Sequence, residues 1–346
     1  MNKLLAALAA GLLVLPILAW GQGRTAKPPV AKPAPTVQEL VQQGKIAEAV
    51  RRASKSPNNL ESTVQKLLAS ADVNVTARQI AEAQSTLDNT QKFLESYKKS
   101  SKSPGFPLEP VKGRQLRLQG IKLNDAREFS KAVTVLKEAL EISEKTKDQT
   151  LEAGVHNNLG VALQAQDKLE EAKSEFEAAS RIADGQKDPF RTGSYTFNLG
   201  GVQSRLNQFD AALNSYKRAE AEFKAASKTN LEARAVLMQG VTLGKINTVS
   251  PEALKYFERA QKMFEQVGDQ RNAGWSFYLM GDNIAYAQKF DAAASYGERA
   301  IPYLTAAGDK HGLLLCYEFL TDMYQKLGKK DQAEKYKKLA SETAKN

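Results

Sequence analysis

Few residues of this chain have the types and spacings that catalysis requires. The two histidines, His156 and His311, lie far apart in the sequence, and neither belongs to a His-Glu-x-x-His, Gly-x-Ser-x-Gly or phosphate-loop motif. The acidic residues within 170–177 have the spacing of a solvated helix face rather than of a glycosidase pair. Cys316, the single cysteine, stands in an apolar stretch without basic neighbours. We therefore predict that the protein is not an enzyme and needs no cofactor or metal.

The strongest pattern is a glycine that recurs about every forty residues. The glycines are Gly120, Gly160, Gly200, Gly240 and Gly281. Alanines follow most of them at fixed distances, and a large residue such as Phe176 stands between the alanines. Small residues let two antiparallel helices approach closely, and the large residue fills the space between successive pairs. A fixed period in this range predicts a repeat solenoid, whose surfaces bind other molecules and rarely carry out chemistry.

An aspartate recurs in the same phase at the repeat junctions, where it is expected to cap the next helix. These residues are Asp148, Asp188, Asp269 and Asp309. In the fourth unit, Ser250 and Pro251 open the second helix after a one-residue insertion, because proline suits the first turn of a helix.

The stretch 158–163, continued by Ala172, Phe176 and Ala179, resembles the tetratricopeptide repeat. The resemblance covers about residues 113–340 in six units, the last with Thr321 at the glycine position. The period near forty exceeds the usual 34 residues and is similar to the long-helix subgroup in kinesin light chain and bacterial peptide-receptor regulators. The resemblance implies an all-α, right-handed superhelical solenoid of antiparallel helix pairs.

In this family the first helix of each unit lines a concave groove, and the glycine marker fixes which side chains face it. Their positions relative to the glycine marker imply seven candidate partner-binding residues: Arg117, Asn158, Asn198, Arg205, Arg234, Trp275 and Tyr278. It places further side chains on the same surface: Arg114, Ser194, Asp282, Tyr286, Glu318 and Asp322.

Asn158 and Asn198 both stand two residues before the glycine of adjacent units. An amide carries a donor and an acceptor, so it can bond the backbone of an extended peptide without reading its sequence. Family members that bind peptides use an asparagine at this position. The alternative is that each amide bonds a neighbouring helix or water.

The implied groove has a basic part and an aromatic part. Its middle would be basic through Arg117, Arg205, Arg234 and Lys245, which suits an acidic segment or a terminal carboxylate. Trp275 and Tyr278, with Tyr286, would then form an aromatic wall that anchors a partner. The alternative is that Trp275 and Tyr278 are packing residues between helices.

The amino terminus is predicted to be a cleaved signal peptide. It has a short basic start, an apolar run over 4–18, and small residues at Ala19 and Gly21; a retained membrane anchor is the alternative. The predicted organisation is a signal peptide at 1–21, a Pro/Lys-rich linker at 22–36, an N-terminal helical region at 37–110 and six repeats at 111–346. The N-terminal region is expected to hold helices at 60–71 and 76–97, the second capped by Thr76. Whether this region contains degenerate repeats stays open.

The formal net charge is +10, which favours acidic partners or surfaces and is also an ordinary means of solubility. We predict an exported, periplasmic or secreted adaptor of the cell envelope that binds a protein or peptide segment in its groove. The alternatives are a spacer held on the envelope by basic surfaces, with peripheral membrane contact, and a peptide-sensing accessory domain. The export signal and the lack of a nucleic-acid-binding motif argue against nucleic acid.

Overall fold

The computed structural model describes residues 34–101 and 105–345, which form sixteen α-helices and no β-strand. The predicted signal peptide and most of the predicted linker lie outside these residues. The described residues divide into two compact units, an N-terminal one that ends at residue 168 and a C-terminal one that begins at residue 169. None of the helices in the described part combines the length and the apolar character that crossing a membrane requires.

The N-terminal unit holds seven of the described helices. These are α1 (Val37–Gln42), α2 (Ile46–Ala53), α3 (Leu60–Thr76), α4 (Ile80–Ser100), α5 (Glu109–Asp125), α6 (Phe129–Thr146) and α7 (Gln149–Ala165). From α3 onward, successive helices pack side by side, and short turns make neighbours antiparallel. One apolar core joins α1–α4 to the start of α5.

The C-terminal unit continues the arrangement with nine described helices. These are α8 (Leu169–Gly185), α9 (Pro189–Arg205), α10 (Phe209–Ala225), α11 (Thr229–Ile246), α12 (Pro251–Gln266), α13 (Gln270–Tyr286), α14 (Phe290–Ala306), α15 (Lys310–Lys326) and α16 (Lys330–Lys345). Each helix packs against the next in chain order. The unit is therefore built of consecutive helix pairs, as the sequence predicts.

Recurring glycines lie at close contacts between two helices. A Cβ atom added to Gly120 of α5 would stand 2.5 Å from Leu136 of α6, and one added to Gly200 of α9 would stand 2.9 Å from Tyr216 of α10. Neither distance leaves room for a side chain. The recurring alanines have no exposed surface: Ala132, Ala139, Ala172, Ala179, Ala212, Ala219, Ala260, Ala293 and Ala300. The predicted small-and-large packing is confirmed.

The predicted helix caps are also confirmed. Each junction aspartate accepts a hydrogen bond from the backbone N–H three residues later, at 3.0–3.1 Å: Asp148, Asp188, Asp269 and Asp309. Ser250 does the same for α12, with its Oγ 3.1 Å from the Ala253 nitrogen. These bonds satisfy backbone donors that the first turn of a helix leaves unpaired.

The predicted cap at Thr76 is wrong. Thr76 is the last residue of α3, and its hydroxyl donates to the Asp72 carbonyl at 2.8 Å. Helix α3 runs beyond the predicted end at residue 71 because Val75 extends its apolar stripe onto the core. The turn follows at Arg78, whose φ is 61°, and α4 begins at Ile80.

The left-handed residues at the helix junctions give a direct test of backbone strain. Lys187 adopts φ 55° and Gly268 adopts φ 73°, and a Cβ at Gly268 would have no neighbour within 4 Å. Left-handed backbone costs an L-residue about 1 kcal/mol relative to glycine. We expect Lys187→Gly to raise the free energy of unfolding of the C-terminal unit by about this amount and Gly268→Ala to lower it similarly. Urea unfolding midpoints that move together, or not at all, would contradict this account.

Candidate binding surfaces

Two arginines of α5 are held inside the N-terminal unit by aspartates. The Nε of Arg114 donates to Asp72 at 2.9 Å and its Nη1 to Asp148 at 2.6 Å, while the Nη1 of Arg117 donates to Asp72 at 3.1 Å. Arg114 and Arg117 are only 6% and 8% exposed. Burial alone would lower the pKa of Arg114, but the two carboxylates outweigh it and raise the pKa. The charges of this cluster are therefore largely compensated internally.

Arg117 was predicted to contribute positive charge to the groove, and its surroundings limit that role. Its guanidinium lies against Gly154 of α7, where an added Cβ would stand 2.4 Å from the Arg117 Cζ. Only glycine leaves room for the arginine at this contact. Together with the Asp72 bond, this contact fixes Arg117 as part of the packing between α3, α5 and α7.

An asparagine cluster joins α5 to α7 in the same unit. Asn124 donates its Nδ2 to the Asn158 carbonyl at 3.1 Å, and the Oδ1 of Asn158 accepts from Asn157 at 3.4 Å. Two atoms of this cluster are buried without a hydrogen-bond partner in the described structure: Asn124 Oδ1 and Asn158 Nδ2. The cluster therefore presents an unused acceptor and an unused donor on two residues that contact each other.

The C-terminal unit carries Asn198, Arg205 and Arg234. Asn198 is half-buried and Arg205 is exposed, both on α9. Arg234 of α11 lies over the Phe197 ring, with its Cζ 5.4 Å from the ring centroid. Burial lowers the pKa of Arg234, and Asp269 partly opposes that shift. Arginine nevertheless stays charged at any physiological pH.

Lys245 of α11 reaches across to α9. Its Nζ donates to the Ser204 hydroxyl at 2.9 Å and lies 5.6 Å from the centroid of the Phe209 ring. Burial lowers the pKa of Lys245. A positive charge therefore lies between the first helices of two successive pairs.

Trp275 and Tyr278 contact each other on α13 and are both buried. Their rings meet edge to face with centroids 5.6 Å apart, and Tyr278 makes a similar contact with Phe319 of α15 at 5.4 Å. The indole N–H of Trp275 donates to Asp309 at 2.9 Å. The exposed fractions are 6% for Trp275 and 3% for Tyr278. Trp275 is thus a packing residue that fixes the position of Tyr278.

Two residues that determine the roles of the candidate residues, Asn124 and Asp72, were not predicted from the sequence. Asn158 lies in the N-terminal unit and Asn198 in the C-terminal unit. Asn124 stands four residues after Gly120, one of the groove positions implied by the family, and could have been selected. Asp72 offered no such signal, because it lies outside the repeats.

The possible metal ligands and the single cysteine also bear on the chemistry of the chain. Within 34–101 and 105–345, no group of three or more His, Cys, Asp or Glu side chains is arranged to hold a metal ion. Cys316 is buried, with its Sγ 3.1 Å from the Gly297 carbonyl oxygen, and burial raises the pKa of its thiol to about 12. The thiol is therefore protonated at neutral pH and is a poor nucleophile.

Sequence and fold comparisons agree on the nature of the repeat. Residues 151–224 match the tetratricopeptide repeat family. None of the curated proteins matches the chain in sequence. The fold is similar to that of the Rap protein complexed with Competence and Sporulation Factor, at 16% identity and a TM-score of 0.57, over 82% of this chain and 76% of Rap.

Two further solved structures have a similar fold. One is NprR in complex with its cognate peptide NprX, at 13% identity and a TM-score of 0.54, over 81% of this chain and 77% of NprR. The other is a signal-transduction ATPase with a tetratricopeptide repeat sensor from Pyrococcus horikoshii, at 15% identity and a TM-score of 0.62. That match covers 88% of this chain and 46% of the ATPase. Residues 151–224 are thus similar to the tetratricopeptide repeat, and the described chain shares the fold of helical repeat proteins built from consecutive helix pairs.

Proposed function

We propose that the protein is a non-enzymatic adaptor that holds an extended segment of another protein, or a peptide, against the first helices of its repeats. The observation that carries this proposal is the unused donor and acceptor of Asn158 and Asn124. A buried polar atom without a partner costs about 1–3 kcal/mol, so such atoms call for an explanation. One such explanation is a ligand that supplies the missing hydrogen bonds.

The chemistry of the pair matches a peptide backbone. Asn158 Nδ2 can donate to a backbone carbonyl, and Asn124 Oδ1 can accept from a backbone N–H. The bond between Asn124 and the Asn158 carbonyl holds the two amides together before a ligand arrives. Neither group distinguishes one side chain of a ligand from another, so the contact would fix backbone position and leave sequence preference to neighbouring surfaces.

The similar folds support the same class of ligand. NprR was solved with its cognate peptide and Rap with Competence and Sporulation Factor, although the likeness itself extends only to the fold. The predicted signal peptide adds export to the proposal, with action in the cell envelope. Fractionation of producing cells tests that part, since recovery of the uncleaved chain in the cytoplasm would contradict it.

The binding test compares Asn158→Ala with a matched control. Asn58→Ala removes the same amide from an exposed position of the same unit, away from α5 and α7. We expect crosslinking capture from the native envelope fraction to recover a specific protein with wild type and Asn58→Ala. Asn158→Ala should weaken that capture about tenfold, as expected for one lost hydrogen bond. Equal capture by all three proteins would refute the asparagine site.

Stability separates this role from a structural one. Asn158→Ala removes a buried donor that has no partner and an acceptor whose one bond, from Asn157, is long at 3.4 Å, so the urea unfolding midpoint should change little. A variant that loses both stability and binding would show that Asn158 supports the fold. A spacer held by basic surfaces, the alternative function, predicts capture that disappears with added salt and ignores Asn158.

A further inference from the structure

A basic cleft, the α2–α4 cleft, opens in the N-terminal unit where α2 and α4 end. Its volume is about 470 Å³, within the range of roughly 300–1,000 Å³ that is typical of small-molecule sites. Arg51, Arg52 and Lys55 line it from the end of α2 and the residues that follow, and Ser100 lines it from the last turn of α4. Val50, only 7% exposed, joins its wall to the apolar core of the unit. The cleft is therefore a cavity whose walls carry several positive charges.

The positive charges of the cleft are not compensated by ion pairs. Among the described residues, no ion pair or side-chain hydrogen bond connects Arg51, Arg52 or Lys55 to another group. The arginines of α5, by contrast, are both bonded to aspartates. One carboxylate, that of Glu48, also lines the cleft. Three cations against one carboxylate leave the lining with a net charge of +2.

The ends of the two helices explain only part of this arrangement. The C-terminal end of a helix carries partial negative charge and favours cations, and Arg51 and Arg52 lie in the last turn of α2. Lys55 stands beyond that end, and Lys98 and Lys99 already supply positive charge to the last turn of α4. The alternative, that these cations only complement the helix ends, therefore leaves both Lys55 and the cleft unexplained.

We propose that the α2–α4 cleft binds a phosphomonoester whose organic part carries hydroxyl groups. A phosphomonoester has a charge of about −1.5 to −2 at neutral pH, which matches the net charge of the lining better than a single carboxylate does. Guanidinium groups also bind phosphate oxygens in pairs. The hydroxyls of Ser54 and Ser100 donate to the carbonyls of Val50 and Ser96 at 2.9 and 3.0 Å, so their oxygens can accept from hydroxyls of the ligand. This site lies outside α5 and α7 and does not depend on the proposed function.

The test titrates the full chain with glycerol 1-phosphate, a phosphomonoester with free hydroxyl groups. Glycerol is the control without charge and acetate the control with a single negative charge, all at constant ionic strength. The readout is the pair of backbone amide signals of Ser54 and Ser100 in ¹⁵N-serine-labelled protein, assigned with Ser54→Ala and Ser100→Ala. Cosedimentation with vesicles containing phosphatidic acid, against vesicles of phosphatidylcholine alone, presents the same phosphomonoester on a membrane.

We expect glycerol 1-phosphate to shift both serine signals saturably, with a millimolar dissociation constant because a ligand this small makes few contacts. Acetate and glycerol should bind about tenfold more weakly or not at all, since they lack part or all of the charge. Binding of the soluble probe alone assigns the site to soluble phosphate esters, and cosedimentation with phosphatidic acid vesicles alone assigns it to a lipid headgroup. Equal responses to glycerol 1-phosphate and acetate, or no binding in either arm, would overturn the proposal.

Matched variants complete the test. Arg51→Gln with Arg52→Gln should weaken binding of glycerol 1-phosphate about tenfold. Lys55 is exposed and lies outside α2, so Lys55→Gln should leave folding intact and still weaken binding about threefold, the value of one exposed charge contact. Lys66→Gln with Lys137→Gln removes the same charge as the arginine pair from exposed positions of α3 and α6 and should leave binding unchanged. Equal weakening by the two pairs, or binding that survives both the arginine and the Lys55 substitutions, would contradict the site.

Discussion

Asp72→Ala is expected to destabilise the N-terminal unit by about 3–5 kcal/mol, the cost of removing one partner from a buried ion pair. Asp72 is 2% exposed and binds Arg114 and Arg117 at once. Arg114 would keep Asp148, but Arg117 would lose its carboxylate partner while its Nε is already without an acceptor. The uncompensated charge on Arg117 should therefore dominate the loss.

The measurement is urea unfolding combined with amide hydrogen exchange in α3 and α5. Asp125→Ala is the matched control, because its ion pair with Arg78 is exposed, at 47% and 35%, and such pairs contribute at most about 1 kcal/mol. Asp72→Leu combined with Arg117→Met should recover much of the stability, since apolar residues can replace a buried pair. Similar losses for Asp72→Ala and Asp125→Ala would show that burial does not set the cost.

The buried aspartate also shows where prediction from sequence reached its limit. The glycine and alanine spacing predicts the helix pairs because the same small-and-large contact recurs in several repeats. Gly200 against Tyr216 is one example. Asp72 belongs to a helix outside the repeats and lies 42 residues from Arg114. No periodic signal connects the two, so Arg114 and Arg117 were assigned to the groove from the phase of their own helix alone.

The candidate site, too, was predicted from the sequence only in part. The repeat phase selected Lys245 for the basic middle of the groove, and the structure shows its Nζ bonded to Ser204 of the neighbouring first helix. It also selected Asn158, but the significance of that residue depends on Asn124 and on which amide atoms remain unpaired. Trp275 was weighed as either an anchor or a packing residue. Its hydrogen bond to Asp309, 34 residues away, shows the packing role, and only the three-dimensional contact reveals it.

Asp309→Ala is expected to destabilise the C-terminal unit by about 3 kcal/mol, because one carboxylate serves three donors. It caps α15 through the Gly312 N–H at 3.0 Å and accepts from Arg271 and Trp275 at 2.7 and 2.9 Å. Loss of the cap costs about 1 kcal/mol, and the unpaired buried indole N–H costs about 1–3 kcal/mol more. Urea unfolding should show the loss, together with a change in the near-ultraviolet signal of Trp275.

Two variants separate these contributions. Asp188→Ala removes a cap of the same kind from α9, with only Arg191 as a further partner, and should cost about 1 kcal/mol. Asp309→Asn keeps one oxygen for the cap, but its amide nitrogen then faces the N–H groups of Arg271 and Trp275, so this variant loses the charge and both of those bonds. Equal losses for Asp309→Ala and Asp188→Ala would mean that the indole bond contributes nothing.

The pH dependence of stability tests how much the negative charge of Asp309 contributes. Burial alone would raise the pKa of Asp309, but the hydrogen bonds from Gly312, Arg271 and Trp275 outweigh it and lower the pKa. A carboxylate with a lowered pKa in the folded state stabilises the protein fully above its unfolded pKa of about 3.9, and the contribution fades as the pH falls below that value. The stability advantage of wild type over Asp309→Asn should therefore be constant at neutral pH and shrink under acidic conditions. An advantage that grows on acidification would show that the ionised form of Asp309 is not the one that holds Trp275 and Arg271, and hence the aromatic contact that positions Tyr278.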